Sequence, residues 1–185
     1  MLSELLADGK RRMESAVDAF KTELGSVRTG RASTALLDRI SVDYYGVRTP
    51  LNQLANVAAP DYRLLTITVY DKSSVDGVVK ALQESDLNLN PSVDGSTVRL
   101  NIPPLTEERR NELVRVVRGL AEDSRVAVRN VRRDVMQDLK TLKNEGEVSE
   151  DEEHRAEDDV QKLTDEHIQR LNELLRRKEE EILEV

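Results

Sequence analysis

LTEERRNELVRVVRGLAEDSRVAVRNVRRDVMQDLKTLKNE, residues 105–145, holds no proline and a single glycine, Gly119. Leu113, Val117, Leu120, Ser124, Ala127, Val131, Val135, Leu139 and Leu142 recur in it at spacings of three and four, the period of one helix face. The spacing predicts one helix of about forty residues, ~60 Å long at 1.5 Å per residue. Thr106 is placed to cap it, and Glu107 and Glu108 fall in the first turn, where the helix dipole favours negative charge. At ~100° per residue, Arg118, Arg125, Arg129 and Arg132 lie within roughly 60° of one another and about 120° from the apolar face. Such a rod cannot bury its stripe alone, so the rest of the chain must supply partners.

Two further helices do so. Leu2, Leu6, Gly9, Met13, Val17, Phe20, Leu24 and Val27 mark a first amphipathic helix, and Gly30 lets the chain leave it. After Gly146, Ser149-Glu150-Asp151-Glu152 reads as a capping box. Beyond it Ala156, Val160, Leu163, His167, Leu171, Leu174, Ile182 and Val185 form a third face. Three such helices most simply make an antiparallel three-helix bundle from residues 1–30 and 105–185.

Residues 31–104 are of another kind. All five prolines and all four tyrosines lie there, and charge thins out. Ile40–Tyr45, Leu64–Tyr70 and Val98–Ile102 read as strands, with Gly46, Asn88-Leu89-Asn90-Pro91 and Asp94-Gly95 as turn signals. Ser73 to Asp86 reads as a helix with Ser73 and Asp76 as a capping-box variant. The expectation is an α+β chain, a helical bundle carrying a small inserted α/β domain. The two short crossings, Gly30-Arg31 and Pro103-Pro104, are expected to act as a hinge.

Charged residues make up 35% of the chain and aromatics 3%, which suits long solvated helices better than a thick core. There is no cysteine, so disulfides and thiolate metal sites are excluded and a reducing cytoplasm is expected. The first residues have neither a basic stretch nor an apolar run, and no segment has the ~20 apolar residues of a membrane span. Net charge is −8 overall, yet residues 105–145 carry +2 and residues 146–185 carry −9. Loose coating of nucleic acid is disfavoured by that balance, whereas a localised basic face still permits a specific site.

Most candidate sites dissolve on inspection. Gly25-Ser26-Val27-Arg28-Thr29-Gly30-Arg31-Ala32 has the outline of a phosphate-binding loop. Arg31 stands for its lysine, Ala32 for its Mg²⁺-binding hydroxyl, and a helix precedes it in place of a strand. His154 and His167 fit no metal spacing, and His167 lies on the apolar stripe as a packing residue. The acidic runs Glu150–Glu153 and Glu157–Asp159 read as solvated helix surface. No nucleophile–base arrangement and no dinucleotide turn occurs, so neither enzyme chemistry nor a cofactor is expected. What is left is the arginine stripe. Glu122 sits within it and can pair with Arg118 or Arg125, but beyond it Arg125, Arg129, Arg132 and Arg133 have no acidic neighbour until Asp134. Guanidiniums in that number suit forked contacts to phosphate. The pattern fits an RNA-binding factor, or a helical adaptor whose basic face meets an acidic protein.

Five blocks then carry a resemblance over essentially the whole chain: Arg28-Thr29-Gly30-Arg31-Ala32, Asp43-Tyr44-Tyr45-Gly46, Leu105-Thr106-Glu107-Glu108-Arg109-Arg110, Val126 to Asp134, and Gln161-Lys162-Leu163-Thr164-Asp165. In this order they resemble the signatures of bacterial ribosome recycling factor. The resemblance implies an L-shaped two-domain arrangement, binding to the large ribosomal subunit after termination, and subunit splitting with elongation factor G, which hydrolyses the GTP. A monomer with no membrane partner is expected. Arg28, Arg31, Arg110, Arg129, Arg132 and Arg133 match family positions on or near the ribosomal RNA-facing surface, and Arg125 joins them from the stripe. Two departures stand out. Thr34 follows Ser33 where the family commonly has proline, and Val135-Met136 follow Asp134 where Ala-Asn is common.

Overall fold

The computed structural model describes residues 1–184. Its elements in chain order are α1 (Leu2–Ser26), β1 (Ser41–Tyr44), β2 (Val47–Pro50), α2 (Leu51–Leu54), β3 (Ala55–Asp61), β4 (Leu64–Val69), α3 (Val75–Gln83), β5 (Pro91–Asp94), β6 (Thr97–Asn101), α4 (Glu107–Asn144) and α5 (Glu150–Leu183). The chain divides into two compact units. One is Met1–Thr29 with Glu107–Glu184, the other Gly30–Thr106.

The first unit is the bundle of α1, α4 and α5. Cross-helix pairs set an antiparallel register between α4 and α5: Arg118 meets Glu179, Arg125 meets Asn172, and Lys143 meets Glu153. Met13, Val17, Phe20 and Leu24 bring the buried face of α1 to this pair. At Gly9 a Cβ would stand 2.9 Å from Val135 Cγ2, so α1 approaches α4 closely there. The α5 start is built as its sequence reads, with the Ser149 hydroxyl accepting from Glu152 N and the Glu152 carboxylate accepting from Ser149 N.

The buried face of α4 is Leu113, Val114, Val117, Ala121, Ser124, Val128, Val131, Val135 and Leu139. Ala121 and Val128 thus replace Leu120 and Ala127, which are half-buried and exposed. The helix carries apolar residues on several sides, and only its two partners decide which side faces inward. In α5 Thr164 is buried where Leu163 was expected, its hydroxyl satisfied by the Val160 carbonyl at 2.8 Å. His167 is buried, with Nδ1 donating to the Leu163 carbonyl at 2.6 Å while Nε2 has no partner. Glu153 departs from the solvated reading of its run. It is buried on the inward face one turn before Ala156, with Lys143 Nζ at 3.8 Å. Val185 lies outside the described residues.

The second unit pairs its strands antiparallel throughout, in a β1–β2 hairpin and a four-stranded sheet of order β3-β4-β6-β5. Leu65, Ile67 and Val69 of β4 and Val98 and Leu100 of β6 are buried on one face, the period-two pattern of a half-covered sheet. The pairs Leu65↔Leu100 and Ile67↔Val98 lie directly across from each other. Val75, Val78 and Leu82 of α3 join that core. The α3 cap differs from the expected Ser73–Asp76 box. Asp71 Oδ1 accepts from Ser73 N at 3.0 Å and from the Ser73 hydroxyl at 2.7 Å, a short 3-10 turn over Lys72–Ser74 follows, and α3 starts only at Val75. The hairpin turns on Tyr45 and Gly46, both with positive φ.

Both crossing segments are tied to one turn of this unit. Ala32 N donates to the Tyr62 carbonyl, and Ile102 N donates to the Arg63 carbonyl at 2.7 Å. Gly30 has φ +75°, and a Cβ on it would stand 2.5 Å from Leu105 Cγ.

Candidate nucleic-acid interface

Shifting the buried face of α4 toward Ala121 and Val128 changes where the arginines stand. Their stripe lies about 85° from the centre of the buried face, not ~120°, at 100° per residue. It flanks the seam with α5. Arg125 is accordingly 21% exposed at its side chain, donating to Asn172 Oδ1 at 2.9 Å and to Glu122 at 3.1 Å. Arg118 Nε donates to Glu179 Oε1 at 2.6 Å, a bond that raises its pKa further. Arg129 is exposed and reaches the other Glu122 oxygen at 3.5 Å. Arg125 thus pairs with Glu122 as the spacing allows, whereas Arg129, expected to have no acidic neighbour, shares that carboxylate, and Arg118 takes a partner from α5. Glu122 serves two, and Glu179 comes from a helix whose register no local spacing reveals.

Arg132 is half-buried, and its Nε is enclosed without a hydrogen-bond partner. Arg133 is exposed and makes no ion pair with the described residues. Asp134, the acid that follows, is occupied by Arg12 of α1 at 2.7 Å. Arg28 is exposed just past the end of α1, whose C-cap is Val27. Arg110 is half-buried in the first turn of α4. Arg31 belongs to the other unit and stacks its guanidinium over the Tyr62 ring, 4.4 Å from the centroid. With Ala32, Ala59, Pro60, Asp61 and Tyr62 it lines a cleft of about 480 Å³.

One basic residue was missed by the stripe. Arg115 is exposed, has no ion pair among the described residues, and shares the outward side of α4 with Arg133. Among the described residues no group of three His, Asp or Glu is placed to hold a metal ion, and no helix is long and apolar enough to cross a membrane. The geometry offers a row of guanidiniums along a rigid helix, part neutralised toward α5 and part open outward.

A family model described as ribosome recycling factor matches residues 20–183. A ribosome-recycling factor from Shouchella clausii is 54% identical over 185 residues, covering 100% of both chains. The chain belongs to the ribosome recycling factor family. Another such factor, from Rubrobacter xylanophilus, is 53% identical over 180 residues, 97% of each chain. A solution structure of the ribosome recycling factor aligns over 100% of this chain and 98% of its own, with TM-score 0.69 and 42% identity. A second solved relative is a model of the Thermus thermophilus ribosome recycling factor, described with Escherichia coli elongation factor G as bound to the post-termination complex. It is 48% identical, covers 99% of both chains and has TM-score 0.62. The family is one of translation factors, and its long helices with a small antiparallel-sheet domain are those described above.

Proposed function

We propose that this chain binds the large ribosomal subunit after termination and, with elongation factor G hydrolysing the GTP, splits the ribosome into subunits. Full-length similarity to ribosome recycling factors carries this reading, and the relative described on the post-termination complex supports it. The bundle, residues 1–30 and 105–185, is the RNA-binding arm. Arg28, Arg110, Arg125, Arg129, Arg132 and Arg133 contact ribosomal RNA, and Arg31 works at the arm's junction with the insert. Their role is electrostatic, exchanging condensed cations for guanidiniums along the phosphate backbone.

Residues 31–104 are the moving arm, and Gly30, Arg31, Pro103 and Pro104 are the hinge. Because Ala32 and Ile102 are tied to the Tyr62–Arg63 turn, torsion falls to the residues just outside them, Gly30-Arg31 and Pro103-Pro104. The factor works as a monomer in the cytoplasm and turns over no nucleotide itself. Its loop at Gly25–Ala32 lacks the lysine and hydroxyl that such chemistry needs.

Two measurements test this. The protein should co-sediment with purified large subunits, with affinity falling steeply as salt rises. Light scattering should report splitting of post-termination ribosomes only when elongation factor G and GTP are both present. Binding indifferent to salt, or equal capture by an acidic protein surface, would favour an adaptor instead.

A further inference from the structure

Gly119 stands near the middle of α4, where glycine is the poorest helix former after proline. Nothing inside the described molecule calls for it, since a Cβ built there meets no atom within 4 Å. Gly9 is the contrast, being required by Val135 at 2.9 Å. An interior helix glycine with empty space over it leaves a bare stretch of helix backbone open to something from outside.

What surrounds it identifies that something. Arg115, Gly119, Val126 and Arg133 follow one ridge within about 40°, on the side of α4 turned away from its buried face. Arg115 and Arg133 are exposed, and neither makes an ion pair with a described residue. Between the two arginines Glu122 is the acid closest to the ridge and is already bound by Arg125 and Arg129, and Asp123 lies about 60° to one side. Before Arg115, Glu112 is bound by Arg109 and Glu108 stands two turns away. The apolar area is small, with Val126 45% exposed. Two unengaged guanidiniums along a bare helix backbone suit a polyanionic strand, whereas a protein partner would need a larger apolar centre.

We infer that Gly119 is itself an RNA contact: the sugar–phosphate backbone of ribosomal RNA runs along α4 over Gly119, its phosphates held by Arg115 on one side of the glycine and Arg133 farther along the same ridge. This rests on the RNA-binding reading above and adds to it a point of closest approach. A methyl group at 119 would lift the strand off the helix there and draw its phosphates away from Arg115, about 6 Å along the axis.

The sign of one substitution separates this from a structural role. Gly119→Ala should raise the thermal midpoint of the full chain by about 2–4 °C, because alanine is the better helix former and has room. The same variant should bind purified large ribosomal subunits about tenfold or more weakly, through loss of charge-assisted phosphate contacts. Arg115→Gln should fold as the unsubstituted chain does, bind more weakly and show a shallower salt dependence. A lowered midpoint for Gly119→Ala would make the glycine structural and overturn the inference, as would unchanged binding at a raised midpoint. If the unsubstituted protein fails to bind large subunits, the functional reading itself falls. If it binds and only Gly119→Ala behaves as wild type, the contact alone is wrong.

Discussion

Arg118 Nε and Glu179 Oε1 lie 2.6 Å apart, tying the first half of α4 to the last turns of α5. The bond both aligns the two helices and occupies a guanidinium that a phosphate could use. Since Arg118 is 64% exposed and Glu179 21% exposed, phosphate oxygens have access to the arginine while its acid partner is the more enclosed of the two. The acidic α5 thus competes with RNA for the arginines of α4.

That competition makes a prediction. Glu179→Gln should leave the bundle folded, as judged by helical circular dichroism, and tighten binding to large subunits severalfold with a steeper salt dependence. Identical affinity and slope for the two proteins would place Arg118 outside the interface.

Charge reversal on the open side should act in the opposite direction. Arg129→Glu with Arg133→Glu is expected to weaken large-subunit binding about a hundredfold or more. Both side chains are exposed, so stability should change by no more than about ±0.5 kcal/mol per site. Arg132→Glu is a different case, because the Arg132 Nε is enclosed. Placing a carboxylate there should destabilise the bundle by about 1–3 kcal/mol, which thermal denaturation would reveal.

The periods of the three long helices were legible because each repeats over several turns. The phase of α4 was not, since Leu120 and Ala127 fit the spacing as well as Ala121 and Val128 do, and Val116 and Val126 blur every side. That error moved the arginines away from the α5 seam and hid their bonds to Glu179 and Asn172. In the insert the two central strands read clearly, while β3 and β5 did not, because Pro60 and Pro91 argue against strand. Both are edge strands, the place where a sheet tolerates a residue with no N–H to give. The Asp71 cap was missed because the serine two residues on carries the same local signal.

Asp71 gives the insert a sensitivity to acid. Its carboxyl is held below the usual range, first by the Ser73 hydroxyl and then by Ser73 N. A depressed carboxylate contributes stability that is complete above the unfolded pKa and disappears as pH falls through the folded value. The insert should therefore loosen in the window below about pH 4. All four tyrosines are in the insert and the chain has no tryptophan, so tyrosine near-ultraviolet dichroism reports on it alone. Asp71→Ala should remove this part of the acid dependence, and an unaltered titration would count against the cap.

Tyr44 supplies the alkaline counterpart. Its phenol is held above the ordinary value, chiefly by desolvation and next by the charge of Asp71, to which it donates at 3.4 Å. For a group that must lose a proton to become charged, this stability is present below the unfolded pKa and is lost as pH rises through the folded one. Absorbance at the tyrosinate band should show a late-titrating component. Asp71→Ala should bring that component back only part of the way, since desolvation, the larger cause, persists.

At the junction, Gly30→Ala combines a positive φ with a clash against Leu105. It should destabilise the insert by about 1–3 kcal/mol, read from the tyrosine signal in a denaturant titration. Adding Leu105→Ala should recover the steric share and leave the backbone share. Full recovery would show that the left-handed conformation at Gly30 is of no consequence.

The bundle is assembled from the two extremes of the chain, with the whole insert between α1 and α4. During synthesis α1 therefore emerges with Met13, Val17, Phe20 and Leu24 uncovered and no partner helix yet made. At about 5–20 residues per second, some seconds pass before α4 is available. Once Thr106 has been made, and while α4 is still emerging, the insert, with a closed core of its own, has all the chain it requires. Once folded it brings Gly30 against Leu105, converting the joining of α1 to α4 from the closure of a loop of roughly eighty residues into a short local search. The insert thus doubles as a staple in time, holding the first helix beside the place where its partners will appear.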